Sequence, residues 1–181
     1  MKLLFLLTPT SHNSLLPYIL FTDISFNKEG ATLMGIGIHH VNVHASRSHV
    51  WEFIRDMNAW APLVPGYKEH IIVSDVQSTW KFTLHFGVLS KKVHVKVLVT
   101  EWKEPSEVMF ILRGINQKFT GEGFFKADEV NSSITAMTGC LTIESTSSLA
   151  KILESTFDKM VHELTKELTE AVGEAIERGK Q

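Results

Sequence analysis

Cysteine is nearly missing from this chain: Cys140 is the only one among 181 residues. A lone thiol excludes an internal disulfide and supplies no thiolate cluster for zinc, which fits a reducing, cytoplasmic compartment. Neither sign of charge is in excess, and the formal net charge is −2. That balance gives no general attraction to nucleic acid or acidic lipid, both of which favour basic surfaces. Long apolar runs are lacking too; none approaches the ~20 residues that a spanning helix needs. There is no internal repeat and no low-complexity tract. What remains is ordinary globular material, 44% hydrophobic and 21% charged, of a length that suits one domain with a sizeable core.

The first 33 residues differ from the rest. Leu3–Leu7 and Leu15–Phe21 are short apolar runs, the second broken at Pro17. A signal peptide needs a basic start, a longer apolar centre and a small-residue cleavage site. Lys2 supplies a minimal basic start, and the cleavage site is missing. Three readings are open: a membrane-associating segment, a degraded export signal, or translated upstream sequence with Met34 as the true start. The third is preferred. Lys28-Glu29-Gly30 is what a purine-rich ribosome-binding site would encode a few codons ahead of Met34. The domain boundary is therefore drawn at 33/34, with an unstructured or mis-assigned extension over 1–33 and one domain over 34–181.

From Ile36 the hydrophobic period is two. Ile36–His44 reads as a first strand. Ser46 caps a helix to about Asp56, and a second short helix over Met57–Leu63 stops at Pro65-Gly66. Strands follow at Tyr67–Ser74, Thr79–Phe86, Val93–Val99, Val108–Arg113, Phe119–Ala127 and Ser133–Ile143, with turns around Gly87–Ser90, Glu104-Pro105 and Asp128–Ser132. At Ser147 the period becomes 3.6. Leu149, Leu153, Phe157, Met160, Val161, Leu164, Leu168 and Val172 make an apolar stripe on a helix reaching Arg178. At ~1.5 Å per residue that helix would be almost 50 Å long. The expected fold is α+β: a curved antiparallel sheet of about seven strands closed by a long C-terminal helix, with two short helices after strand one.

This order resembles the helix-grip fold of the SRPBCC superfamily, which includes START-like lipid-transfer domains. The run Val50-Trp51-Glu52-Phe53-Ile54-Arg55-Asp56, followed by Pro65-Gly66, is similar to that superfamily's opening V-W-x-F-x-x-D … P-G pattern. Pro65-Gly66 just before strand two, Gly121-x-Gly123 and the Thr138–Ile143 strand resemble the carbon monoxide dehydrogenase G-subunit family most. Members often carry Cys or another small residue after the Pro-Gly pair, where this chain has Tyr67. The resemblance covers residues 36–175. It implies a hydrophobic pocket between sheet and helix, and more distantly a role beside a molybdenum oxidoreductase.

No catalytic or metal-binding set emerges. His39 and His40 are adjacent, so on a strand they face opposite ways and cannot share an ion. His85 and His94 lie on consecutive strands without a matching carboxylate, His44 and His49 flank a helix start, and His162 lies on the long helix. Cys140 reads as a small packing residue. Gly121-Glu122-Gly123 lacks the strand-to-helix setting of a phosphate loop and reads instead as a site of curvature or close approach of another element. Arg113 and Glu122 are the polar exceptions near an aromatic face; either could orient a ligand head group, with solvated strand positions the preferred reading for both, and Lys91-Lys92 reads as a solvated turn.

That aromatic and apolar face comprises Trp80, Phe82, Leu84, Phe110, Leu112, Phe119 and Phe125, joined by Phe157 from the helix. Each is individually a plausible core residue; together they are expected to line a ligand pocket, since pockets are mostly apolar with few polar groups. The expected function is non-catalytic binding or carrying of a hydrophobic small molecule, such as a lipid, isoprenoid quinone or fatty acid, with no cofactor, no metal and no nucleic-acid partner. Two alternatives stay open. One is a cyclase or hydratase of the same fold, for which Glu122 and His85 are the candidate acid/base groups. The other is an accessory factor for assembly or membrane recruitment of a carbon monoxide dehydrogenase-like oxidoreductase, through transient membrane or oxidoreductase contacts. Oligomeric state is left open.

Overall fold

A strand with two glycines on its inward face opens the domain. In β1 (Leu33–Val43), Gly35, Gly37 and Val43 are buried while Met34, Ile36 and Ile38 are exposed. The computed structural model describes residues 32–86, 89–115, 117–146 and 154–179. The extension over 1–33 therefore lies outside the described residues except for its last two positions. Leu33 already belongs to β1 and pairs with Ser145.

After β1 the chain turns into two short helices. Ser46 caps α1 (Arg47–Ile54), its hydroxyl accepting from the His49 N–H at 3.4 Å. Asp56 caps α2 (Met57–Trp60), its carboxylate accepting from the Asn58 N–H at 2.9 Å. A 3-10 turn over Ala61–Leu63 with a proline at its start continues α2. Gly66 then has φ +72, and a Cβ there would strike the Thr83 carbonyl oxygen. Only glycine fits that corner, because both the backbone region and the close approach exclude a side chain.

Six further strands complete the sheet: β2 (Tyr67–Ser74), β3 (Gln77–Phe86), β4 (Leu89–Lys103), β5 (Glu107–Gly114), β6 (Phe119–Asn131) and β7 (Ile134–Ser145). Their order is β1-β7-β6-β5-β4-β3-β2, every neighbouring pair antiparallel. The sheet is curved but open, with β1 and β2 at its edges. Register shifts at Val99/Glu101 and Glu129/Asn131 add local bend. β4 and β6 run further than the alternation predicts. Lys91 and Lys92 are strand residues rather than a turn, and β6 continues past Ala127 to Asn131. Past Ala127 the β6 residues are exposed on both faces, so ladder hydrogen bonds persist where hydrophobic alternation has ended.

The long helix, α3 (Phe157–Arg178), is shorter than expected: 22 residues, or about 33 Å. Glu154–Thr156 form turns, and Leu149 and Leu153 lie outside the described residues. Its buried positions also differ from the predicted stripe. Phe157, Val161, Thr165, Thr169, Val172, Gly173 and Ile176 are buried, whereas Met160, Leu164 and Leu168 are only half-buried. The reason is steric. The helix lies on β1 and β7 through a seam of small residues. A Cβ on Gly35 would come within 2.7 Å of the Val161 side chain, and one on Gly37 or Gly139 would collide with the Thr165 or Thr169 hydroxyl. The close approach of helix to sheet is thus made by glycines of β1 and β7, not by Gly121 and Gly123. A Cβ on Gly123 would instead meet the Phe110 ring.

Helix carboxylates also cover the β1 edge, a common way to blunt an unpaired strand. Asp158 accepts from the Ile36 N–H at 3.0 Å, Glu170 lies 3.2 Å from His39, and Glu177 accepts from the His44 N–H at 2.7 Å. No helix among the described residues is long and apolar enough to cross a membrane.

Candidate functional site

Because α3 is drawn down onto β1 and β7, the middle strands curve away from it. One end of the intervening space is filled: Trp51, Ile54, Met57, Val97, Val108, Met137, Val172 and Ile176 are all 5% exposed or less. The other end is a cavity of about 560 Å³, within the range of small-molecule sites.

Four rings make its floor. Trp60 stands edge-on to Trp80 at 4.8 Å and to Phe125 at 5.3 Å between centroids, and tilted against Phe110 at 5.2 Å. All four are 5% exposed or less. Trp80 donates its indole N–H to the Ser78 hydroxyl at 2.6 Å, and that hydroxyl donates to the Met57 sulfur. The Trp60 N–H, by contrast, is buried and has no hydrogen-bond partner among the described residues; an edge-on indole inside an aromatic cluster can settle for N–H···π contacts.

The walls are half-buried aliphatic and aromatic side chains. Phe82 and Leu84 follow Trp80 along β3, Leu112 follows Phe110 along β5, and Phe119 opens β6. From above, α3 contributes Phe157 together with Met160, Leu164 and Leu168. Those half-buried leucines are the helix face that looks into the cavity, while the threonine and glycine face grips the sheet. All eight residues singled out from the sequence, Trp80, Phe82, Leu84, Phe110, Leu112, Phe119, Phe125 and Phe157, thus border one space. Three of them, Trp80, Phe110 and Phe125, are floor rings packed on Trp60.

Polar groups gather at the outer end. Lys91, Gln117, Lys118, Ser145 and Thr146 line the cavity where β4 begins, β6 begins and β7 ends. Hydrogen bonds tie these three places together. The Gln117 amide donates to the Lys92 carbonyl at 2.8 Å, and Thr146 N–H and Ser145 hydroxyl both donate to the Lys118 carbonyl at 3.1 Å.

The sequence's acid/base candidates lie elsewhere. Glu122 alternates with the inward Gly121 and Gly123, so it faces outward, and it is exposed; so are His85 and Arg113. His85 is hydrogen-bonded to the Ser90 hydroxyl at 2.8 Å on the outer face. Cys140 sits in β7 between the inward Gly139 and Leu141, so it reaches the cavity border while its side chain alternates to the outer face that Glu122 shares. Burial pushes its thiol above the usual range, and the negative charge of Glu122 pushes it further the same way. No cluster of metal-ligating side chains occurs among the described residues.

Sequence reasoning missed Trp60, Thr165 and Thr169, all of which border the cavity, and the two lysines at its mouth. Trp60 could have been found from its helical spacing to Met57 and from the Pro65-Gly66 corner that returns the chain beneath it. The threonines gave no signal, because their burial depends on the glycines opposite.

The chain belongs to a protein family whose model matches residues 34–179. No curated protein matches it significantly by sequence. Among solved structures, a conserved protein from Geobacillus kaustophilus is similar at TM-score 0.69 and 16% identity, covering 81% of this chain and 97% of that one. A START superfamily protein from Mycobacterium smegmatis is similar at TM-score 0.64 and 16% identity, over 79% and 97%. An aromatase/cyclase from a Streptomyces is similar at TM-score 0.63 and 13% identity, over 82% and 97%. At these identities the likeness is one of fold, and the fold is the START-like helix grip.

Proposed function

We propose that this START-like helix-grip protein binds and carries a hydrophobic small molecule, such as a lipid or isoprenoid quinone, in the cavity between sheet and helix, without acting on it chemically. The observation that carries this reading is the lining itself. Aromatic and aliphatic side chains surround about 560 Å³, and no carboxylate or imidazole stands among the described lining residues. Affinity would come from burial of apolar ligand surface at ~25 cal/mol per Å². Trp80, Phe82, Leu84, Phe110, Leu112, Phe119, Phe125 and Phe157 are the proposed contacts.

Catalysis on the same fold is the second reading, since one similar structure is an aromatase/cyclase. It needs a general acid or base in the cavity; Glu122 and His85 face away from it, which leaves Lys91 and Lys118 at the mouth as the described lining groups able to fill that role. The finer likeness to the G-subunit family of carbon monoxide dehydrogenase rests on Pro65-Gly66, Gly121-x-Gly123 and the Thr138–Ile143 strand. It supports an accessory role beside such an oxidoreductase, which co-purification with that enzyme tests.

The carrier reading is tested by native mass spectrometry of the purified protein and by titration with a solvatochromic fatty-acid or quinone analogue. Micromolar binding, about −8 kcal/mol, is expected, and Leu84→Trp should weaken it while leaving the circular dichroism spectrum unchanged. If no probe binds and nothing co-purifies, the aromatic face is ordinary core and the carrier reading falls.

A further inference from the structure

The two charged residues that line the cavity among the described residues, Lys91 and Lys118, carry the same sign and stand at the same end. Lys91 lies near the start of β4, in register with the inward-facing Leu84. It precedes Val93 and Val95 by the even spacing that places all three on the inner face of the sheet. Lys118 is brought alongside by the β5–β6 connection, whose Gln117 amide is bonded to the Lys92 carbonyl and whose Ile115 N–H donates to the His94 carbonyl at 2.7 Å. The nearest carboxylate along β7 is turned away: Glu144 alternates with the lining residues Ile143 and Ser145 and is exposed. Beside the lysines stand the Gln117 amide and the hydroxyls of Ser145 and Thr146. Behind them the lining is apolar down to the ring floor.

An apolar chamber with a cationic and hydrogen-bonding mouth matches one ligand chemistry. A neutral hydrocarbon would make no use of the two ammonium groups, which water would go on solvating, and a cationic amphiphile would be repelled. We infer that the ligand is a single-chain anionic amphiphile whose tail lies between Leu84, Phe119 and Met160 and whose head group meets Lys91 and Lys118. This deepens the carrier reading and rests on it. Carboxylate and phosphate heads share the required chemistry, since both accept charge-assisted hydrogen bonds from ammonium groups.

The test displaces a bound solvatochromic probe with tetradecanoate, methyl tetradecanoate, tetradecyl phosphate and tetradecyltrimethylammonium, each below its micellar concentration. It is run on the full chain and on the Lys91→Met, Lys118→Met double variant. Both lysines are exposed, and retention of fold in the variant is checked by circular dichroism. Expected is a preference for either anion over the ester of about tenfold or more, falling with added salt and largely lost in the double variant. Which anion is stronger separates a fatty acid from a phosphorylated lipid. Equal binding of acid and ester, or a preference that survives the double substitution, overturns the head-group inference while leaving the hydrophobic carrier in place. Failure of every probe overturns the carrier reading and this inference together.

Discussion

The Thr165 hydroxyl occupies the place where a Cβ on Gly37 would stand. The hydroxyl is itself satisfied, donating back to the Val161 carbonyl at 2.8 Å, so it has no reason to swing aside. Gly37→Val therefore sets two effects against each other. Strand propensity favours valine over glycine by up to ~1 kcal/mol, and overpacking at a tight interface costs about 1–3 kcal/mol. The collision involves the backbone carbonyl of Val161 as well as a side chain, so the steric cost should win. Denaturant unfolding should show a net loss of about 1–2 kcal/mol. A stabilised variant would mean that α3 rides higher on the sheet than described.

Phe157 closes the cavity from the helix side and is 6% exposed. Emptying a buried phenylalanine site costs ~3–5 kcal/mol. Since Phe157 borders a space that is already open, the lower end is expected, about 3 kcal/mol for Phe157→Ala. Glu163 is exposed on the opposite face, and Glu163→Ala should stay within about 0.5 kcal/mol. Thermal or chemical denaturation of the pair checks the helical phase, and equal effects would contradict it.

Cys140 offers a pH-dependent readout of the outer sheet face. The thiolate is the reactive form, and burial together with Glu122 disfavours it. Alkylation by iodoacetamide should therefore be slow at neutral pH and should rise only at a pH above that at which an ordinary thiol, near 8.5, ionises. Glu122→Gln removes the repelling charge and should shift the profile back toward lower pH. Burial, the larger cause, remains, so the shift should be partial. An unchanged profile would mean that Glu122 is too well screened by solvent to matter.

Most of the fold could be read from period-two alternation and the shift to 3.6, because strands with one buried face must alternate. The Ser46 cap and the Pro65-Gly66 corner were equally legible, since each satisfies a local backbone need, whereas Asp56 was read only as the end of the first helix and not as the cap of the second. The start of α3 was not, because Leu149 and Leu153 continue the stripe arithmetically although the helix begins at Phe157. The grip itself was also hidden. Thr165 and Thr169 read as polar positions and become buried only because Gly37 and Gly139 lie opposite, while Gly173 is buried against Val41, Val43 and Met137. A close approach between two small-residue surfaces far apart in sequence leaves no hydrophobic period in either. The same blindness let Met160, Leu164 and Leu168 pass for core, when they are the half-buried roof of an open space.

Floor and wall of that space should separate experimentally. Phe125 is 2% exposed and packed on Trp60 at 5.3 Å, so Phe125→Ala should lose ~3–5 kcal/mol of stability, and any fall in probe affinity would follow from damage to the fold. Phe82, half-buried on the wall, already gives part of its ring to the cavity. Phe82→Ala should cost only about 1 kcal/mol of stability. It should also remove roughly 50 Å² of ligand contact, which at ~25 cal/mol per Å² amounts to about 1.3 kcal/mol, close to tenfold in affinity. Unfolding curves and probe titrations on the same two variants give both quantities. The carrier reading requires the two rings to differ: stability should fall most at Phe125, and affinity should fall at Phe82 in a protein that remains folded. If Phe82→Ala weakens the fold as much as Phe125→Ala does and leaves probe binding unchanged, then the β3 face is structural throughout and the ligand, if bound at all, lies against the helix.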